Sequence, residues 1–467
     1  MPVDAVRAQP CRVSAGASVA WRPTSGSLSR MRGCLGYGGP RFALRATRSV
    51  LATMTEPTTA VWYYAKPTTF TGSLQRGLGR GAYRALHDPA APQAVSACVK
   101  RDYRWDWLVD ERAVYLARLI RDLALPVPPL LNLLCEHPVD DDDNTFDNTL
   151  EVLEALGRAG DRHAIDGLRW YVHKCPRWVD VLHAIARDWP RELWDDLLPV
   201  ARTRLAQGDR ADEVLWRSRP WRDWAAVDDQ IGAGVAAFQP RSALARPLEQ
   251  QSTEDLLTVL RTGGTDRQEA ALRELNHRGP QTDLLPIVDE LPVTELHAPL
   301  GRAIRMLGPQ ALPLARAWAA PPTHPMIWTA CLVLAKHGDD SDLPALLAGW
   351  DWLDRRAEDR CGYDDLAEGI ARIGGPAAQA AVPRLRRAWF SPHTFERAAY
   401  LRAVTALDPG NTDSLLTEGL WDCESDVRQF AAEHTPLDDM TRKQLSYLRD
   451  DPMETPEVCA TAAARLS

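Results

Sequence analysis

Apolar residues recur at helical spacing along most of this chain, and the same punctuation returns between the helical stretches. From Thr265 to Cys423 one module repeats: a helix of small residues and Leu, a Gly-Pro or Gly-Asp turn, then a helix opening at Leu-Pro or Val-Pro. It runs as Ala271-Leu272, Leu275, Gly279-Pro280 and Leu285-Pro286, then as Ala303-Ile304, Leu307-Gly308-Pro309 and Leu312-Pro313. Ala330, Leu334, Gly338-Asp339 and Leu343-Pro344 follow, then Leu366, Ile370, Gly374-Gly375-Pro376 and Val382-Pro383, and last Ala403, Leu407, Gly410 and Leu415-Leu416. The turn glycines 279, 308, 338, 375 and 410 are separated by steps of 29, 30, 37 and 35. That period predicts a helical repeat array. Gly after the first helix takes the left-handed conformation without a Cβ penalty. Pro at the start of the second lacks an N–H that would be orphaned there anyway. Neither helix buries its apolar stripe alone, so stacked pairs make the core.

Upstream the pattern is looser. From Val109 the run VDERAVYLARLIRDL predicts an amphipathic helix with Ala113, Leu116, Ile120 and Leu123 on one side, although Arg118, Arg121 and Asp122 break the apolar stretch. Pro126, Pro128 and Pro129 end it and start a second helix, Leu130 to Cys135. Residues 54–239 read as divergent N-terminal repeats, 240–251 as a joint with two Pro, and 252–467 as the array, capped by Pro456–Leu466. Residues 1–53 show no sustained periodicity and are expected to be a disordered extension, or a spurious one ahead of Met54. Trp170, Trp318, Trp350, Trp389 and Trp421 each follow a turn glycine by ten to fifteen residues. Leu346 and Trp350 share a helical face, as do Leu385 and Trp389, so packing between repeats is predicted for these rings.

The segment Asp426-Val427-Arg428-Gln429-Phe430-Ala431-Ala432 resembles the D-x-V-R-x-x-A opening of HEAT repeats, and Asp266-Arg267-Gln268-Glu269-Ala270-Ala271-Leu272 is a looser copy. Leu343-Pro344-Ala345-Leu346-Leu347 and Val382-Pro383-Arg384-Leu385 are similar to the start of that family's second helix. The resemblance covers about 252 to 436. It implies an all-α, HEAT-like solenoid of stacked antiparallel helix pairs. Scaffolds, adaptors and a few enzymes share that architecture, so it transfers no function by itself.

Charge narrows the partners. Residues 1–53 hold eight Arg, no Lys and one acid, Asp4; the whole chain is −8, which leaves about −15 beyond Met54. An acidic body argues against general affinity for nucleic acid or anionic lipid and suits a protein partner with a basic patch. No uncharged apolar run reaches the roughly 18 residues of a membrane span. Nine cysteines, an odd number without a Cys-x-x-Cys pair, suggest free thiols in a reducing cytoplasm.

Four stretches invite chemistry. Asp140, Asp142, Asn144 and Asn148, with Glu151 at the twelfth position, have the oxygen spacing of a calcium loop, but Thr145 stands where the turn wants Gly. The alternative is a solvated acidic loop before a helix capped near Asn148 or Thr149. Gln75-Arg76-Gly77-Leu78-Gly79-Arg80-Gly81 lacks the Lys-Ser/Thr of a phosphate loop and reads as a flexible turn. His163, His173, Cys175 and His183 lie close in sequence without paired zinc spacing. Trp221-Arg222-Asp223-Trp224-Ala225-Ala226-Val227-Asp228 is similar to the Trp-x-x-Val-Asp segment of HEAT-like alkylpurine DNA glycosylases. That resemblance implies Trp224 stacking on a damaged nucleotide and Asp228 stabilising the charge that develops on the sugar. The partner Arg of those enzymes has no clear match here. No nucleophile elbow, zinc-protease or nucleotide-loop motif is present, and no cofactor is implied. The chain is therefore expected to be a non-enzymatic scaffold or adaptor, with a DNA glycosylase as the alternative.

Overall fold

Helices start and stop where the sequence punctuates them. The computed structural model describes residues 6–8, 62–104, 110–137, 144–210, 214–237, 248–321, 323–355 and 361–467. Among these the fold is all-α, apart from a ribbon in which Val6–Ala8 pairs antiparallel with Trp62–Tyr64. Otherwise the expected extension 1–53 lies outside the described residues, as do positions 240–247 of the expected joint.

In the C-terminal arm the first helices of successive modules form a ladder. Thr265–Arg278, His297–Met306, Ile327–His337, Tyr363–Ile373, Arg397–Leu407, Ser425–His434 and Pro456–Leu466 each pack on the next. The second helices lie beside them: Leu343–Arg355 touches both Ile327–His337 and Tyr363–Ile373, and Asp439–Asp450 lies on the final helix. One apolar core runs from Leu248 to Ala462 under this ladder. The N-terminal arm repeats the scheme with Arg112–Asp122, Thr145–Arg158 and Trp178–Asp188, flanked by Pro128–Glu136 and Arg162–Lys174, over its own core.

The turn chemistry holds at three of five glycines. Gly279, Gly308 and Gly375 have φ of 102°, 60° and 80°. Gly338 instead leaves its helix extended (φ −69°, ψ 178°), and the turn passes to Asp339, whose side chain caps Asp340–Asp342. Gly410 sits in the short 3-10 turn Pro409–Asn411 without a positive φ. Pro313 and Pro383 stand at helix starts. Pro286 falls inside Thr282–Glu290, and that stretch is 3-10 rather than α.

Trp318, Trp350 and Trp389 are buried between repeats, but Trp170 is 53% exposed. Its helix buries Ala164, Ile165, Leu168, Tyr171 and Val172. Two residues past Leu168, Trp170 points about 200° away from it and out of the core.

The larger correction concerns the Gly-Arg segment, which is a seam and not a flexible turn. Gly79–Ala85 packs against Asp413–Gly419 of the other arm, and the two cores meet where Leu78 joins one and Cys423 the other. The Cys423 N–H donates to the Gly77 carbonyl at 2.9 Å. A Cβ on Gly77 would lie 2.5 Å from Cys423 Sγ, and one on Gly79 would lie 1.9 Å from the Glu418 carbonyl oxygen. These glycines are there because two backbones approach closely. Gly79→Ala is expected to cost about 2–3 kcal/mol of stability by urea denaturation. Gly410→Ala, which meets open space, should stay within about 0.5 kcal/mol.

Candidate functional site

Charged side chains inside an apolar contact must find partners, and the seam collects them from both arms. Arg397 is wholly buried at the start of Arg397–Leu407. Its guanidinium donates to the Arg76 carbonyl (2.9 Å), Asp422 Oδ1 (2.8 Å) and Cys423 Sγ (3.0 Å). Arg112 grips both Asp110 oxygens, through Nε to Oδ1 at 2.9 Å, and donates to the Gln75 carbonyl. Arg428 spans Glu454 with two bonds of 2.7 Å and reaches the Asp422 carbonyl at 2.8 Å. Arg118 closes the far side on Asp451 (2.6 Å) and Glu454 (2.9 Å), while Arg121 takes Asp451 and the Tyr447 hydroxyl. At the rim Arg80 holds Glu418 through Nε at 2.8 Å. Arg112, Arg118, Arg397 and Arg428 thus pair with Asp110, Asp422, Asp451 and Glu454, while Arg76 donates to the Phe390, Ala65 and Gly72 carbonyls.

Solvation and charge pull these acids in opposite directions. Burial pushes Asp451 and Glu454 up, but Arg118 and Arg428 respectively hold each carboxyl below the usual range. Asp110 is likewise held low by Arg112 against its burial. Asp422 rises because burial outweighs Arg397. Glu424 has no guanidinium in its own hydrogen bonds; Thr394 Oγ1 and the Glu111 N–H donate to it, the latter at 3.2 Å. Burial, with Glu111 and Asp110 nearby, pushes it up to about 8.

Asp110, Cys423 and Glu424 bring three donor atoms within 4.8 Å of one another, which is metal-binding proximity. The donors are already committed. Arg112 covers Asp110, Arg397 lies 3.0 Å from Cys423 Sγ, and burial raises that thiol far above its ordinary value. A further cation would meet two guanidinium groups, so the cluster is an ion network of the protein itself.

The residues singled out by sequence are dispersed. Asp140 and Asp142 lie outside the described residues. Glu151 accepts from Arg104, which also clasps Asp102, and Asn148 donates to the Cys98 and Val99 carbonyls at 3.0 and 2.9 Å. Two positions of the calcium spacing are therefore spent on the protein. Asn144 takes a left-handed backbone at the helix N-terminus without a side-chain cap, so the helix begins at Thr145 and not near Asn148 or Thr149. Trp224 is fully buried, donates to Asp195 at 2.9 Å and packs edge-on against Trp194 and Trp221. It has no free face for a nucleotide. Asp228 caps Asp229–Ala237 through the Ile231 N–H at 3.0 Å, with Arg202 3.9 Å away. His183 accepts from Trp221, and Cys175 lies beside Cys135 instead of the histidines.

Sequence reasoning passed over Asp422, Cys423 and Glu424. Two signals pointed toward them: glycines at alternate positions 77, 79 and 81, and the charges at 118, 121 and 122 on an otherwise apolar helix.

No family model matches this chain, and comparison with curated proteins and solved structures gives no match either.

Arg397→Met leaves Asp422 buried without its cation and is expected to cost about 3–5 kcal/mol in urea denaturation. Adding Asp422→Leu should restore part of that loss, because the orphaned charge goes with it. The raised Glu424 binds its proton more tightly folded than unfolded, so its contribution is present below the unfolded value. It is lost as pH rises from about 4.5 toward 8. Glu424→Gln should therefore flatten the decline of the urea midpoint across that window. Glu154 and Asp364, which burial raises to about 7, leave a residual slope.

Proposed function

We propose that this protein is a scaffold or adaptor that grips a protein partner along the inner surface of a HEAT-like helical array, in the cytoplasm. The observation that supports it is how the arms are joined. The seam fastens the two arms through the ion pairs of Arg118 and Arg121 with Asp451 and Glu454, and through the bonds of Arg76 and Arg397 to carbonyls of the opposite arm. Arms of stacked helix pairs fixed to each other in this way offer extended surfaces, and such surfaces suit a partner bound by many modest contacts. The carboxyls of the seam are held by guanidinium groups, by backbone N–H and by Thr394, as in a structural network.

The excess of acids beyond Met54 favours a partner with a basic patch. Affinity capture with the full chain should recover such a partner, and its retention should fall between about 50 and 300 mM salt. Retention unaffected by salt would remove the electrostatic part of the reading. The same preparation should release no base from alkylated DNA. Release abolished by Asp228→Asn would instead establish the glycosylase alternative.

A further inference from the structure

Two thiols from different repeats meet in the N-terminal arm. Cys135 lies in the last turn of Pro128–Glu136, and Cys175 caps Arg162–Lys174; their Sγ atoms are 3.8 Å apart. The helices that carry them are pressed together. A Cβ on Gly167 would lie 2.2 Å from Leu131 Cδ1, so the Leu131 side chain of the first helix rests on the bare backbone of the second. The Cys175 end is fixed, since Arg204 Nη1 donates to the Val172 and Cys175 carbonyls at 2.9 and 3.1 Å. Cys135 is half-buried and Cys175 buried. We propose that Cys135 and Cys175 form a reversible disulfide, with Cys135 the thiol that meets the oxidant and Cys175 the thiol that resolves it.

The oxidant is a low-molecular-weight disulfide of the glutathione type. Cys135 loses its proton and attacks one sulfur of that disulfide; the S–S bond breaks, one small thiolate leaves, and a mixed disulfide remains on Cys135. Cys175 then loses its proton and attacks the Cys135 sulfur, expelling the second small thiolate. Two protein thiols are oxidised, one small disulfide is reduced to two thiols, and the two protons pass to those leaving groups. Burial, then the neighbouring Cys135, pushes the Cys175 thiol up to about 11. Ring closure therefore accelerates with pH as this thiol ionises.

The bond would tie the second helix of one repeat to the end of the second helix of the next, and close a loop of 40 residues. Residues 138–151, with the acidic tract, lie inside that loop. The link between neighbouring repeats, where a solenoid flexes, would be pinned.

The test treats the folded full-length chain with oxidised glutathione and follows intact mass and peptide maps. The expected product has lost two hydrogens, links the Cys135 and Cys175 peptides, and reverts with dithiothreitol. Its melting temperature should rise by a few degrees. Cys175→Ala should stop at one glutathione per chain on Cys135, and Cys135→Ser should leave Cys175 unmodified. Ring closure should quicken about tenfold per pH unit between 7 and 9. A wild-type chain that keeps glutathione on Cys135, stays reduced at both positions, or links either cysteine elsewhere would overturn the proposal.

Discussion

Five arginines and five carboxylic acids buried between the arms are the constraint around which the rest is arranged. Taking a guanidinium out of water costs several kcal/mol unless it is bound, and here each of the five donates to at least one carboxylate or carbonyl oxygen. Such pairs add little net stability over apolar packing, but a shifted alignment would strand charges. Apolar surface alone would let the arms slide. The alternation of Arg76, Gly77, Gly79 and Arg80 against Glu418, Asp422 and Cys423 fixes one alignment.

This gives the two halves different tasks. The C-terminal ladder carries regular modules with a continuous core, and its edge loops at 390–396, 418–424 and 451–455 present the acids and carbonyls that receive the N-terminal arm. The N-terminal arm is less regular because some of its residues serve that reception. Arg112 and Arg118 lie on the helix predicted from Val109, and they leave its apolar stripe incomplete to complete the seam. The same helix holds Ala113, Leu116 and Ile120 in the core, as their spacing implies.

Local signals carried most of the architecture. The period of the turn glycines, Pro at helix starts, and Leu–Trp pairs four apart predicted the ladder, because each acts within one or two turns of helix. Gly338 and Gly410 departed where a neighbouring Asp339 or Pro409 supplied the turn instead. The seam was not legible for a different reason. Gly77 and Cys423 are partners only in space, and one sequence does not say which distant loop a glycine admits. Trp224 and Glu151 show the converse error: spacing suggested chemistry, while tertiary contacts had already engaged both side chains.

The contact between Gly77 and Cys423 also has a bearing on how the chain is made. Its members are more than 300 residues apart, so the N-terminal arm leaves the ribosome long before its counterpart exists. Until the final repeats emerge, Arg76, Arg112 and Arg118 stand in water, hydrated and at no penalty. Closing so large a ring afterwards is slow mainly because the ends must find each other; the entropy involved grows only logarithmically with length. Nascent chains cut short before Asp422 would hold a ladder without its last repeats beside a Gly-Arg turn with nothing to receive it.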